Sequence, residues 1–224
     1  VGHSASGMSA LTVLLFFLMI GLLDTVHFRP VLDHRDNTNH AVYSIEVLSL
    51  LDILVTPLRT NIEKTYSAPL ASHLYAKDTV DLPDGKQIRT FLRLKFGGAH
   101  LENPETEQLA DIGKRVAIGA GYGLLVWITQ LSLLCFLLAH RNRQSFSQCL
   151  SAIWHRSTEF PWHAVFMTLA IILILIGVTT LLATHYHVLG TDKVGHDILY
   201  QSLKSIRIAL IIGTLTTLVM LPFA

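Results

Sequence analysis

The amino-acid sequence predicts a mainly α-helical, polytopic membrane protein with about four transmembrane helices and a small α+β extramembrane insert. Three observations carry that expectation. Only 15% of the 224 residues are charged, whereas soluble domains carry about 25%. Mean hydropathy is +0.47. The apolar residues are also gathered into four blocks instead of being spread along the chain. The net charge of +1 offers no basic excess for nucleic acid and no acidic tail. A hydrophobic content of 51% excludes intrinsic disorder.

The first block, Met8–Leu23, holds 16 residues without a charge, against the roughly 20 needed to cross a bilayer. The preceding VGHSASG lacks the basic residues of a signal peptide, and no small-residue cleavage site follows Leu23. It is therefore read as a retained helix, residues 1–23. Because the chain begins with Val1 rather than Met, its natural N-terminus is expected upstream.

Residues 24–115 form the predicted insert, too long for a structureless loop. Tyr43–Thr56 is apolar except for Glu46 and Asp52, and reads as an amphipathic helix stopped by Pro57. Leu82-Pro83-Asp84-Gly85 is a turn signal between two strands, Asp78–Leu82 and Gln87–Phe96. Asn103-Pro104 reads as a cap followed by proline at the first helical position. That helix is expected to run on into the second membrane block. The insert holds His27, His34, His40, His73 and His100 without metal-ligand spacing, so they read as solvated surface groups. No metal site, cofactor site or catalytic constellation is expected.

The second block, Val116–Leu138, has 23 uncharged residues and the third, Ala164–Ala183, has 20. Gly119 and Gly123 stand four apart within Gly-Ala-Gly-Tyr-Gly, the small-residue spacing that lets helices pack closely. The segment lacks the Gly-Lys-Ser/Thr of a phosphate loop. These complete blocks contain no ionisable residue, which argues against a membrane enzyme. The connecting loop, 139–163, carries Arg141, Arg143 and Arg156 against Glu159, which places it in the cytoplasm and the insert outside. Cys135 and Cys149 then lie in or near the cytoplasmic side and are read as reduced packing residues.

The last part, 164–224, ends in the stretch HVLGTDKVGHDILYQSLKSIRIALIIG, from His187 to Gly213. Leu189–Asp192 reads as a turn. Thr191 or Asp192 can cap a helix beginning near Lys193. Ile198, Leu199, Leu203, Ile206 and Leu210 recur at helical steps, which predicts an interfacial helix feeding a membrane span. Lys204 and Arg207 are expected to snorkel toward headgroups.

This stretch resembles the segment before the second core helix in the C-type permease subunit of dipeptide, oligopeptide and nickel ABC importers. Gly190, Thr191, Asp192, Gly195, Asp197, Arg207, Leu210 and Gly213 match the pattern without a gap, as do His187 and Leu189. The departures are His196 for Arg, Tyr200-Gln201 for Ser-Arg, Ser205 for Gly and Ala209 for Ser. A softer resemblance links Tyr66–Pro69, Leu82–Gly85, Arg93-Leu94 and Gly98–Leu101 to the enlarged periplasmic region of long C-type permeases.

The resemblance implies a multi-pass subunit of the bacterial inner membrane that performs no bond chemistry. It implies a second permease subunit, two cytoplasmic ATPase subunits that bind the ATP, a periplasmic solute-binding protein and the surrounding lipid as partners. The turn 190–197 would lie at the outer face and set the angle of the next helix, with Asp192 and Asp197 as caps. The family's E-A-A coupling loop does not occur before Ala224, so the chain is expected to be the N-terminal part of a longer permease. The alternative reading is a membrane-anchored sensor or assembly protein with the insert as its binding module.

Overall fold

The computed structural model describes residues 4–32, 42–81, 87–142 and 161–223. The protein is mainly helical. Among the described residues, four helices are long and apolar enough to cross a membrane, within Ala5–Thr25, Pro104–Leu137, Trp162–Ala183 and Ile198–Phe223. Small two-stranded sheets accompany them.

In chain order, α1 (Ala5–Thr25) is followed by β1 (His27–Phe28), β2 (Val31–Leu32), β3 (Val42–Tyr43) and β4 (Leu48–Ser49). Two short helices, α2 (Leu50–Leu54) and α3 (Thr56–Thr60), lead to β5 (His73–Asp81) and β6 (Gln87–Arg93). The long helices α4 (Pro104–Asn142), α5 (Trp162–Ala183) and α6 (Ile198–Met220) complete the chain, with a 3₁₀ turn at Leu221–Phe223. All three sheets are antiparallel pairs: β1 with β4, β2 with β3, and β5 with β6.

The chain divides into two compact units, residues 1–16 with 100–185, and 17–99 with 186–224. The first is organised by the α4–α5 hairpin. A Cβ on Gly123 would lie 2.6 Å from Ile174 Cα, and one on Gly119 would lie 2.6 Å from the Gly177 carbonyl oxygen. Only glycine lets the two backbones meet this closely. One end of the seam is fastened by Trp127, whose Nε1 donates to the Phe166 carbonyl at 2.9 Å. Further along, Cys135 is buried among Phe166, Leu131 and Leu134. At the start of α4 the Asn103 carbonyl accepts from the N–H groups of Thr106 and Glu107, while the Glu107 carboxylate receives the Asn103 N–H. Glu105 and Glu107 occupy the positive end of the helix.

The second unit holds the insert, the end of α1 and all of α6. Tyr43–Thr56 does not form the single helix its composition predicts. Ser49 and Asp52 close a reciprocal capping box, so the helix starts only at Leu50. Pro57 lies in the first turn of α3, where its missing N–H costs nothing, so it opens a helix instead of ending one. Strand β5 begins at His73, earlier than expected. Strand β6 ends at Arg93 instead of Phe96, because the N–H groups of residues 95–97 are taken by a carboxylate. The turn Leu82–Gly85, His34, His40, Cys149 and most of the 139–163 loop lie outside the described residues.

Substituting Gly177→Val should force the α4 and α5 backbones apart, because even a Cβ there would overlap the Gly119 carbonyl. Thermal unfolding of the detergent-solubilised protein should register a loss of about 1–3 kcal/mol. Gly121→Ala, whose Cβ would meet nothing within 4 Å, should leave the transition in place.

Candidate functional site

The residues singled out by the sequence converge on the turn that leads into α6. Gly190 and Gly195 have φ of +78° and +85°, left-handed values that side chains disfavour. A Cβ at either position would also overlap backbone, the Ser67 carbonyl for Gly190 and the Glu63 carbonyl for Gly195. Between them Asp192 organises the loop. Its Oδ1 accepts from the N–H groups of Val194 and His196, each at 2.9 Å, and its Oδ2 accepts from Gln201 Nε2 at 2.7 Å. Asp192 therefore shapes the turn, and the helix starts at Ile198 instead of Lys193. The cap is Asp197, whose Oδ1 accepts from Leu199 N at 2.8 Å and Tyr200 N at 3.3 Å.

The turn is docked onto the insert. Thr191 is almost fully buried; its hydroxyl donates to the Thr65 carbonyl at 2.8 Å, and its N–H donates to the Ser67 carbonyl. Glu63 N donates to the Gly195 carbonyl at 3.0 Å, and Leu70 N to that of His187 at 2.9 Å. Backbone from two distant parts of the sequence is thereby held in one place.

A buried ionic triad underlies this contact. His187 Nδ1 lies 2.8 Å from Asp197 Oδ2, and its Nε2 lies 3.4 Å from Glu63 Oε1. Burial alone would push the imidazole down, but the hydrogen bonds and charges of Asp197 and Glu63 outweigh it and raise His187 from 6.5 to about 9. Both ring nitrogens of the protonated ring then donate. Burial would raise Glu63, but His187 and the N–H groups of Lys95, Phe96 and Gly97 bring it from 4.5 down to about 2. Those N–H groups lie at 2.8, 2.7 and 3.2 Å from the carboxylate. One carboxylate thus caps α6 while the other gathers the end of β6, and a single imidazolium joins them.

A second cluster fastens the end of α1 to α6. Asp24 is fully buried. Lys204 Nζ lies 2.6 Å from Asp24 Oδ1, 2.9 Å from Asp52 Oδ2 and 3.1 Å from Ser49 Oγ. Arg207 Nε lies 3.2 Å from Asp24 Oδ2, and its Nη1 donates to the Asp24 carbonyl at 3.0 Å. Tyr200 donates its hydroxyl proton to Asp52 Oδ1 at 2.8 Å. Burial opposes ionisation of Asp52, but the Ser49 N–H, Lys204, Tyr200 and the Ser49 hydroxyl hold it well below the usual carboxylate range. Lys204 and Arg207 thus face buried carboxylates, not the free headgroup-seeking path their spacing suggested. Two acids and two bases balance, so the cluster is neutral.

Of the other sequence-derived residues, Gly119 and Gly123 lie in the α4–α5 seam, and Gly213 has open space where a Cβ would stand. His27 approaches Arg207 at 3.4 Å, His73 contacts Ser72, and His100 is paired with Asp111 at 2.8 Å, so these three are engaged polar groups. Glu63 and Asp24 were not singled out by sequence reasoning, which named His187 only as a match to the family pattern and Asp52 only as a break in an apolar run. The available signals were Asp24 directly after an uncharged block and Asp52 inside an apolar run. Among the described residues, no group of three or more His, Cys, Asp or Glu side chains could hold a metal ion.

Four helices long and apolar enough to cross a membrane suggest a multi-pass membrane protein, and the segment around Glu63–Leu70 is clamped to the turn that opens α6. No protein-family model, curated protein or solved structure matches the chain.

The triad makes stability depend on pH in a definite direction. The contribution of His187, whose value is raised, is complete below pH 6.5 and lost as pH rises through about 9. That of Glu63, whose value is lowered, is complete above pH 4.5 and lost as pH falls toward about 2. Thermal unfolding should therefore peak between these limits. His187→Ala should cost about 3–5 kcal/mol at pH 6 by leaving two buried carboxylates unpaired. The gap to the parent protein should narrow above the alkaline limit, leaving the loss of packing by the buried ring.

In the second cluster, Lys204→Met should destabilise by about 3 kcal/mol. Adding Asp52→Asn should recover part of the loss by restoring neutrality. A melting-temperature comparison of the single and double variants checks this.

Proposed function

We propose that this chain is a permease subunit of a binding-protein-dependent ABC importer, forming part of the translocation path for peptides or a related small solute. The observation that supports the reading most is the division of labour in the turn 190–197. The residues that match the family pattern are those whose chemistry the turn uses. Two glycines take left-handed conformations against backbone, Thr191 is buried on the insert, Asp192 shapes the loop and Asp197 caps the helix. Two of the departures from the pattern also have partners. Tyr200 reaches Asp52 of the insert and Gln201 reaches Asp192.

On this reading the protein sits in a bacterial inner membrane and does no bond chemistry itself. Two ATPase subunits on the cytoplasmic side supply the free energy. A second permease subunit completes the pore, and a periplasmic binding protein delivers the solute. The turn serves as a rigid collar that fixes how α6 enters the membrane. Alternating access then rests on rearrangement of helix contacts lined by small residues.

Affinity purification of the full-length protein from its native membrane should bring down two ATPases and a sister permease. Recovery of a homodimer with no ATPase would overturn the reading in favour of a sensor or assembly protein. In the importer, Gly195→Val should abolish ATP-dependent solute uptake into proteoliposomes, because its side chain would displace the Glu63 backbone.

A further inference from the structure

The segment 45–54 buries the acid Asp52 together with Leu51 and turns five other apolar side chains outward. A short helix in a soluble domain turns its leucines inward and its acids outward. Here Asp52 is buried while Leu50, Ile53 and Leu54 are exposed, with Leu54 at 65%. Just upstream, Val47 is exposed and Ile45 is 97% exposed. The segment's other acid, Glu46, is matched by Arg59 at 3.0 Å. The outward face is therefore apolar over five side chains, and its only charge has a partner.

The depth at which this face is held follows from its attachments. Asp52 is bound to Tyr200 and Lys204, in the first two turns of the span within α6. Ser49 Oγ lies 2.9 Å from Asp24, in the last turn of the span within α1. Leu50 N donates to the carbonyl of Val26, which directly follows Thr25 at the end of α1 and is itself exposed. The apolar face is thus continuous with the outer surface of one span and tied to the start of another. Both attachments lie where a membrane helix passes from hydrocarbon to headgroups.

We propose that segment 45–54 is an interfacial lipid-contact element, with Ile45, Val47, Leu50, Ile53 and Leu54 resting in the boundary between headgroups and acyl chains. Lipid is the occupant the observations favour. A five-residue helix presents a low ridge with no groove for a protein partner, whereas a bilayer accepts any apolar surface held at its level. Burial of Asp52 takes one charge out of the face, and Glu46, still exposed, is paired with Arg59 and can stay at the headgroup level. The ionic cluster beneath it sets the depth. The inference rests on the membrane-spanning character of the helices and is independent of which solute, if any, is carried.

The test uses the full chain, with Cys135→Ala and Cys149→Ser as background, reconstituted in phosphatidylcholine vesicles. Single cysteines are placed by Ile45→Cys, Ile53→Cys, Thr79→Cys or Leu175→Cys and labelled with an environment-sensitive fluorophore. Thr79 is an exposed position on β5, and Leu175 is an exposed position on α5. Labels at 45 and 53 should be quenched by acyl-chain-brominated lipid about twofold or more beyond the label at 79, and should be shielded from aqueous iodide. Iodide quenching at 53 equal to that at 79 would overturn the proposal in favour of a solvated face. Protection from both quenchers would overturn it in favour of a protein cover. The label at 175 separates the failures: if brominated lipid quenches it but not 53, only the interfacial element falls. If 175 is not quenched either, the membrane-spanning reading falls with it.

Discussion

A carboxylate fully removed from water at the C-terminal end of a helix is doubly disfavoured. It loses hydration, and it faces the negative pole of the helix. Asp24 is in that position, in the last turn of α1. It persists because Lys204 and Arg207 approach it from two successive turns of α6, and Arg207 also binds its carbonyl. The same lysine reaches Asp52, so α2 is drawn into the arrangement. Removing any one member would leave the cluster with an unbalanced charge. The constraint therefore registers α1, α2 and α6 together, and Gly21 permits the approach by receiving the Leu210 side chain closely.

The His187 triad repeats this logic with a different chemistry. A lysine would satisfy carboxylates from one point; an imidazolium bridges two acceptors with its opposite edges. Each carboxylate in turn spends its remaining capacity on backbone N–H groups, Glu63 on residues 95–97 and Asp197 on residues 199 and 200. Charge–charge attraction is thereby converted into placement of main chain. That is a structural use of ionisable groups, and it explains why three acidic and basic side chains are buried in a region with few apolar residues to bury.

Much of the architecture could be read from the chain because its cause is local and one-dimensional. Uncharged runs such as Val116–Leu138 and Ala164–Ala183 announce spans through length and composition alone. The glycines at 119 and 123 lie at the contact with α5. The ionic clusters were not legible because their partners are far apart: Glu63 and His187 are separated by 124 positions, and Asp24 and Lys204 by 180. No periodicity reports such a pairing. Short elements failed for another reason. In Tyr43–Thr56 the apolar spacing favoured a helix, but Ser49 and Asp52 decided where it could begin, and Asp52 was required elsewhere as a buried acid. The start of α6 was misplaced because Thr191, Asp192 and Asp197 are all competent caps; docking on the insert took up Thr191, and the loop's own N–H groups took up Asp192.

The length of α4 has a mechanical consequence. Its 39 residues extend about 58 Å, nearly twice a hydrocarbon layer of about 30 Å. The charged residues of its first turns end at Arg115, and an uncharged run begins at Val116. The twelve residues from Pro104 to Arg115 add about 18 Å of helix ahead of that run. No proline interrupts the helix after its first position, so it has no built-in joint of that kind. Force applied at the tip would be delivered as leverage to the glycine fulcrum at 119, 123 and 177, where the two rods touch backbone to backbone.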